Sequence, residues 1–403
     1  MKTFEKVRAT RVAAPEARPM GRAGRWLEDP GFGVYIHIPF CAHRCHYCDF
    51  NTYEGQQHLH AAYVEALVGD IESWTGPARR ATSVFFGGGT PTLLSAASLR
   101  RVLDAVRERV GIEPGAETTV EVNPETVDAA RFEELLNAGF NRFSIGVQSL
   151  VPHVLRGLGR EHPVALARGA LEDARRAGVE DLNADLIYGS PWESAEDWRR
   201  SLEGIVDAGP DHVSAYALTV EEGTPLATLV ATGRVPDVDP DVQADRHAVA
   251  DRVLASAGYR RYEVSNWSRP GAASAHNVLY WSGGDYLGFG AGAHGHRAGR
   301  RWWSIRRPRD FIAAADAGAS TEEGCEVLDA DGRAAEALML GLRLVDGVEL
   351  AGFASRHGAA ALASRQRLIA DLAHVGLLSQ AEGRLALTAR GTAVANDVLC
   401  RLL

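Results

Sequence analysis

At 403 residues with 46% hydrophobic residues, the chain has room for two or three domains with sizeable cores. A formal net charge of −9 argues against a dominant nucleic-acid role, which needs a basic face. No run approaches the ~18 consecutive apolar residues of a membrane span. The N-terminal stretch also lacks the apolar centre of a secretory signal, so a cytoplasmic location is expected.

Residues 1–30 mix charges and small side chains and read as a mobile lead-in. From Gly33 to Thr219, short apolar runs alternate with amphipathic ones. VYIHI at 34–38 predicts a strand, and residues 58–74 place Tyr63, Ala66, Leu67, Ile71 and Trp74 on one helical face. SVFFGGG predicts a strand ending in a glycine loop, and Ser95 is the expected N-cap of a helix with a Leu99, Val102, Leu103, Val106 and Val110 stripe.

Further strands are predicted at 118–122, 143–149, 181–189 and 212–219, with helices ending near Gly139 and Gly178. Six such strand–helix units imply parallel strands. An open, partial barrel or a doubly wound sheet both fit, and either puts chemistry at the C-terminal strand ends. After Pro225 the rhythm breaks: a linker leads to a helix at 242–257 and one strand at 259–267. From about Glu326 short helices follow, with a wing-like hairpin at 381–388.

Three of the five cysteines fall in FCAHRCHYCDF at 40–50, as Cys41, Cys45 and Cys48. In a cytosolic chain this argues for metal or redox chemistry over disulfides. Zinc usually takes four protein ligands, and His43 or His46 could complete that set. A 4Fe–4S cluster held by three thiolates instead keeps one iron open. Isolated Cys325 and Cys400 read as small buried residues.

YIHIPFCAHRCHYCDF closely resembles the cluster loop of radical S-adenosylmethionine proteins, with its CxxxCxxC spacing and an aromatic before the third cysteine. FFGGGTPT at 85–92, EVNP at 121–124, GVQS at 146–149, GLGREH at 157–162 and DLIYGSP at 185–191 are similar to motifs of the HemN/HemW family within it. The glycine motif lacks the GK[ST] of a phosphate-binding loop.

The resemblance implies an α/β fold: a partial (β/α)6 radical-S-adenosylmethionine barrel over 31–235, an extension over 236–320, and a mostly helical, winged-helix-like domain over 321–403. It implies a 4Fe–4S cluster on the three cysteines, its open iron taking S-adenosylmethionine. Gly88, Gly89, Thr90, Glu121, Gln148, Arg160 and Asp185 are the implied cofactor contacts, with Tyr35 and Tyr47 beside the cluster.

The oxygen-independent coproporphyrinogen oxidases of this family extend the loop to CxxxCxxCxC, whereas this chain has Phe50 at the last position. The heme-chaperone branch resembles it in having CDF there. HNVLYW at 276–281 is similar to that branch's HNxxYW motif. The resemblance makes His276 the heme ligand, with His294 or His296 as alternatives and Tyr280 and Trp281 against the porphyrin. Trp302 and Trp303 are either pocket wall or core packing. The partners it implies are heme, a heme-acceptor protein, a reductant, a second copy of the chain and a membrane surface.

Overall fold

The computed structural model describes residues 30–76 and 79–403. The lead-in read at 1–30 therefore lies outside the described residues except for its last position. Six parallel strands form the centre: β1 Phe32–Ile38, β2 Ala81–Gly88, β3 Ile112–Val122, β4 Arg142–Gln148, β5 Asp181–Tyr188 and β6 His212–Ala217. They pair in chain order, with Val34 opposite Val84, Val120 opposite Phe143, and Ala184 opposite Val213. The six strands are mainly buried because helices cover the parallel sheet, which explains their near-continuous apolar runs.

Local signals fix the helices. Ser95 caps α2 (Ala96–Arg109) by accepting a hydrogen bond from the Ser98 amide, and all five residues of its predicted stripe are buried. Asp128 caps α3 (Ala129–Ala138), which ends on Gly139 at φ +106°. Ser194 and Asp197 form a reciprocal capping box on α6 (Ala195–Ala208). A single core runs through β1–β6 and these helices and includes Phe86, Phe143, Leu182 and Trp198.

Two sequence expectations change. The stretch 259–267 is a hairpin of two short strands, Arg260–Glu263 and Asn266–Ser268, because a turn at Val264–Ser265 breaks the run. The glycine- and aromatic-rich segment contributes β9 (Asp285–Phe289), which pairs parallel to β1 on the edge away from β2. Here β7 and β8 denote the two strands of the 259–268 hairpin. Strands β10 (His294–Arg297), β11 (Arg300–Ser304) and β12 (Glu322–Val327) then extend this edge antiparallel.

Strand β12 thus belongs to the large sheet, and a second core starts at Ala334. Leu338, Leu342, Phe353, Leu372, Leu385 and Leu399 build that core beneath a hairpin of Leu378–Ala381 and Arg384–Leu387. Cys325 and Cys400 are both exposed, contrary to the expectation of burial: the first sits on edge strand β12 and the second on the outer face of the terminal helix. Among the described residues no helix is long and apolar enough to cross a membrane.

Candidate functional site

The C-terminal strand ends converge on one cavity of about 640 Å³, lined among others by Tyr35, His37, Gly88 and Glu121. The cysteine loop leaves β1 directly. Its start, Phe40–Cys41, pairs with Tyr53–Glu54. Its middle is pinned by the His46 amide donating to Leu158 O (3.1 Å) and by Arg44 Nη2 donating to Cys48 O (3.0 Å). The three cysteines are half-buried and free of disulfides. Burial pushes the Cys41 thiol up to about 11 and raises that of Cys48. Such thiols become anions most readily when a metal takes up the charge.

The histidines that might complete a zinc set turn elsewhere. His46 Nδ1 lies 3.2 Å from Gly157 O, and His43 sits between the carboxylates of Glu54 and Glu161. Among the described residues no three His, Cys, Asp or Glu side chains converge as around a single ion. Three half-buried free thiols on one loop have the donor chemistry that a 4Fe–4S cluster takes.

The glycine loop after β2 approaches the cysteine loop backbone to backbone. Gly89 N donates to Ile38 O (2.8 Å) and Thr90 N to Phe40 O (2.7 Å). A Cβ on Gly89 would stand 2.5 Å from Phe40 O; one on Gly88, at φ +111°, would stand 2.4 Å from the His37 ring. Both positions therefore require glycine.

From Thr90 a polar chain crosses the strand ends. Asn123 Nδ2 donates to Thr90 Oγ1 (2.9 Å), and Arg160 Nη2 donates to Asn123 Oδ1 (2.9 Å) and Gly146 O (3.0 Å). Arg160 Nη1 reaches Cys45 Sγ at 3.5 Å, and its Nε is buried without a partner. Tyr47 lies beside Cys45 and Arg160, and burial raises its pKa well above the ordinary phenol range. Gln148, at the end of β4, takes a left-handed φ of +64° beside Gly146, a strained conformation of the kind found at ligand clamps.

Glu121 and Asp185 lie close enough to interact electrostatically. Burial, then the proximity of Asp185, pushes the Glu121 carboxyl up to about 8, although Gly88 N donates to its Oε2 (3.0 Å). Burial also raises Asp185, against donors from Ser144 (2.8 Å) and Asn183 (2.7 Å). Two enclosed carboxyls that resist ionisation form a receptor for a cation, whose arrival restores both charges. A sulfonium or ammonium group meets that requirement.

Tyr35 Oη is 2.9 Å from His37 Nδ1, while His37 Nε2 is 3.0 Å from Asn51 O. A carbonyl only accepts, so Nε2 carries the proton and the Tyr35 hydroxyl donates to Nδ1. Burial lowers the His37 pKa to about 4, keeping the ring neutral. Asn51 Nδ2 in turn donates to Ala291 O and Arg306 O, both at 2.9 Å. Phe50, beside it, is 63% exposed and lines the cavity mouth.

The structure places His276 in the interior. It sits on α9 (Ala275–Trp281), whose N-terminus is held by Glu117 accepting from Ala275 N (2.7 Å) and His276 N (3.0 Å). The ring is 2% exposed, stacks on Phe85, and engages Ser83 Oγ through Nδ1 and Tyr280 Oη through Nε2, both at 2.9 Å. Neither nitrogen faces an incoming iron, and burial drives the pKa to about 3. His276 braces α9 against β2. Trp303 lines the main cavity, whereas Trp302 packs on the core and lines a neighbouring cleft.

His37, Asn51 and Asn123 were missed as site residues. The period of two in β1 carried a signal for His37, which shares a sheet face with Tyr35. Asn123 stood inside the EVNP motif, but nothing local marked Asn51, which reaches the site through contacts more than two hundred residues away.

Comparison with known proteins decides the family. Over 377 residues the chain is 41% identical to the heme chaperone HemW of Mycobacterium tuberculosis, covering 92% of this chain and 95% of that one. The chain belongs to the HemW family. It is also 34% identical to HemW of Bacillus subtilis, covering 91% of this chain and 97% of that one. Residues 35–205 match the radical SAM superfamily and 328–394 the HemN C-terminal domain.

Among solved structures, coproporphyrinogen III oxidase (HemN) from Escherichia coli superposes with a TM-score of 0.79 at 23% identity, covering 94% of this chain and 93% of that one. That likeness concerns the fold, and it agrees with the partial radical SAM barrel and helical C-terminal domain expected from the sequence.

Proposed function

We propose that this chain binds heme and hands it to an acceptor protein, with Cys41, Cys45 and Cys48 holding a 4Fe–4S cluster. Gly88, Gly89, Thr90, Glu121, Gln148, Arg160 and Asp185 hold S-adenosylmethionine at the open iron, and Tyr35 and Tyr47 flank the cluster. When bound, the cluster would supply one-electron reducing power to S-adenosylmethionine held by these residues. The chain's own residues bind and enclose. Glu121 and Asp185 supply negative charge for the cationic end of the cofactor, Arg160 places positive charge beside the Cys45 sulfur, and the neutral Tyr35–His37–Asn51 relay fixes the wall between them.

The observation that carries the chaperone reading over the oxidase is Phe50. An exposed aromatic side chain stands at the cavity mouth where the oxidase pattern has its further cysteine. The heme assignment itself is supported by the relatives' names. The test is anaerobic reconstitution with iron and sulfide, followed by titration with heme and by addition of an apo-hemoprotein. A stoichiometric Soret band that moves to the acceptor supports the reading; one zinc and no labile sulfide in the purified chain would remove the cluster from it.

A further inference from the structure

A second cleft, of about 540 Å³, lies between Trp281 of α9, β10 and helices α11 (Ala330–Gly341) and α12 (Leu350–His357) of the C-terminal domain. We propose that this interdomain cleft is the seat of the heme, with His296 Nε2 as the axial ligand and Arg333 and Arg356 meeting the two propionates. The proposal rests on the heme-binding reading above and locates its site.

Four observations converge. The first is His296, which lines the cleft. Its Nδ1 is 3.4 Å from Gly284 O and 3.7 Å from Asp285 Oδ1, so that nitrogen carries the proton. Its Nε2, which forms no hydrogen bond among the described residues, then carries the lone pair. A ring oriented through one nitrogen by a carbonyl and a carboxylate is how proteins present an imidazole to a metal. His276 spends both nitrogens inside the fold, and exposed His294 has no such orienting partner among the described residues.

The second observation is charge. The acidic side chains of the cleft are already engaged: Glu336 with Arg301, and Asp285 as acceptor for Ala298 N. Arg333 and Arg356 line the same cleft and have no carboxylate partner among the described residues. Arg333 Nη1 donates to Leu328 O (2.7 Å), which leaves its remaining N–H groups, with those of Arg356, to meet a ligand with two carboxylates.

The third is shape and chemistry of the walls. Tyr280, Trp281, Tyr286, Ala337 and Leu340 line the cleft with aromatic and aliphatic side chains that suit an apolar macrocycle. The volume falls within the ~300–1,000 Å³ range of small-molecule sites. The fourth is unmet polarity. Trp281 Nε1 and Ser282 Oγ are buried in this wall without hydrogen-bond partners. Buried polar atoms left unsatisfied are uncommon and mark places where a ligand or water completes the structure.

The site lies apart from the S-adenosylmethionine cavity but shares Tyr280 and Tyr286 with it. The two ligands therefore sit on either side of a common aromatic wall.

Heme and iron-free protoporphyrin are titrated separately into the full-length protein and into His296→Ala, the charge-reversed pair Arg333→Glu/Arg356→Glu, and His294→Ala, following the Soret band. The expected result is a shifted Soret maximum and heme affinity lowered by about tenfold or more in His296→Ala, as for loss of a metal contact, with protoporphyrin affinity little changed. Charge reversal at the two cleft arginines weakens both ligands, and His294→Ala weakens neither. Wild-type spectra and affinities in His296→Ala and in the arginine pair overturn the site while leaving the heme reading intact. Failure of the unaltered protein to take up heme overturns both. The arginine pair, outside the core, keeps the test decisive if His296→Ala folds poorly.

Discussion

Glu121 offers the sharpest quantitative test of the cofactor cavity. Its carboxyl, held at about 8 by burial and by facing Asp185, is mostly protonated at neutral pH in the unliganded chain. A cationic ligand binds the ionised form, so binding must release a proton. Below pH 8 the affinity for S-adenosylmethionine should therefore rise about tenfold per pH unit. The other groups facing Glu121 leave that slope alone: the Tyr35 and Tyr280 phenols are raised far above this range, and Ser144 and Asn183 donate to Asp185.

Glu121→Gln removes the titrating group and one charge-assisted hydrogen bond, a loss of about 1.5–3 kcal/mol. That corresponds to roughly 10- to 150-fold in affinity at pH 8, and the slope between pH 6 and 8 should flatten. Calorimetric titration of the anaerobically reconstituted protein at pH 6, 7 and 8 reads both effects. Linkage gives a companion sign. The folded state holds this proton more tightly than the unfolded chain, so without ligand stability falls as pH rises from about 4.5 towards 8, and S-adenosylmethionine should stabilise the fold more at pH 8 than at pH 6. An affinity independent of pH in the unaltered protein, or the same slope in Glu121→Gln, would refute the reasoning.

Other consequences follow from single contacts. Gly89→Ala places a methyl group 2.5 Å from Phe40 O, forcing the cysteine loop to move, and should lower iron and sulfide content after reconstitution while far-ultraviolet circular dichroism stays unchanged. His276→Ala strands Ser83 and Tyr280 and should cost about 2–4 kcal/mol in denaturant titrations, combining unmet hydrogen bonds with a cavity; the Soret maximum of its heme complex should not move. Because the His276 pKa falls from 6.5 to about 3 on folding, its contribution to stability is complete above pH 6.5 and declines by about 1.4 kcal/mol per unit as pH drops towards 3. Phe85→Leu, which thins the cover over that ring, should bring the folded pKa back towards 6.5, so stability should fall less steeply between pH 6.5 and 3 than in the unaltered protein. Leu338→Ala in the fully buried second core should lower stability by about 2–5 kcal/mol and melt the C-terminal helices before the barrel.

The alternation of β1–β6 with their helices was legible because each unit carries local signals: an apolar run, a cap such as Ser95 or Asp128, and a stop glycine such as Gly139. The motif loops were legible too, since each lies directly after a strand. The extension was not. Strand β9 owes its place beside β1 to long-range pairing, from Phe32 opposite Asp285 to Ile36 opposite Phe289, which no local pattern announces. The hairpin at 260–268 looked like one strand because its turn holds β-branched Val264 and has neither Gly nor Pro, with Ser265 alone a weak turn signal. The surroundings of His276 were illegible for a related reason: the motif marks the residue, but Ser83, Phe85 and Glu117, which hold its ring and helix, come from distant strands.

The central claim is that the chain carries heme on a cluster-bearing barrel rather than decarboxylating a porphyrinogen. One anaerobic incubation tests it: reconstituted protein with reductant, S-adenosylmethionine, coproporphyrinogen III and heme together, read by Soret absorbance and by chromatography of the tetrapyrroles. The account predicts a stoichiometric heme complex with the coproporphyrinogen recovered intact. Conversion to protoporphyrinogen without a heme complex would contradict it.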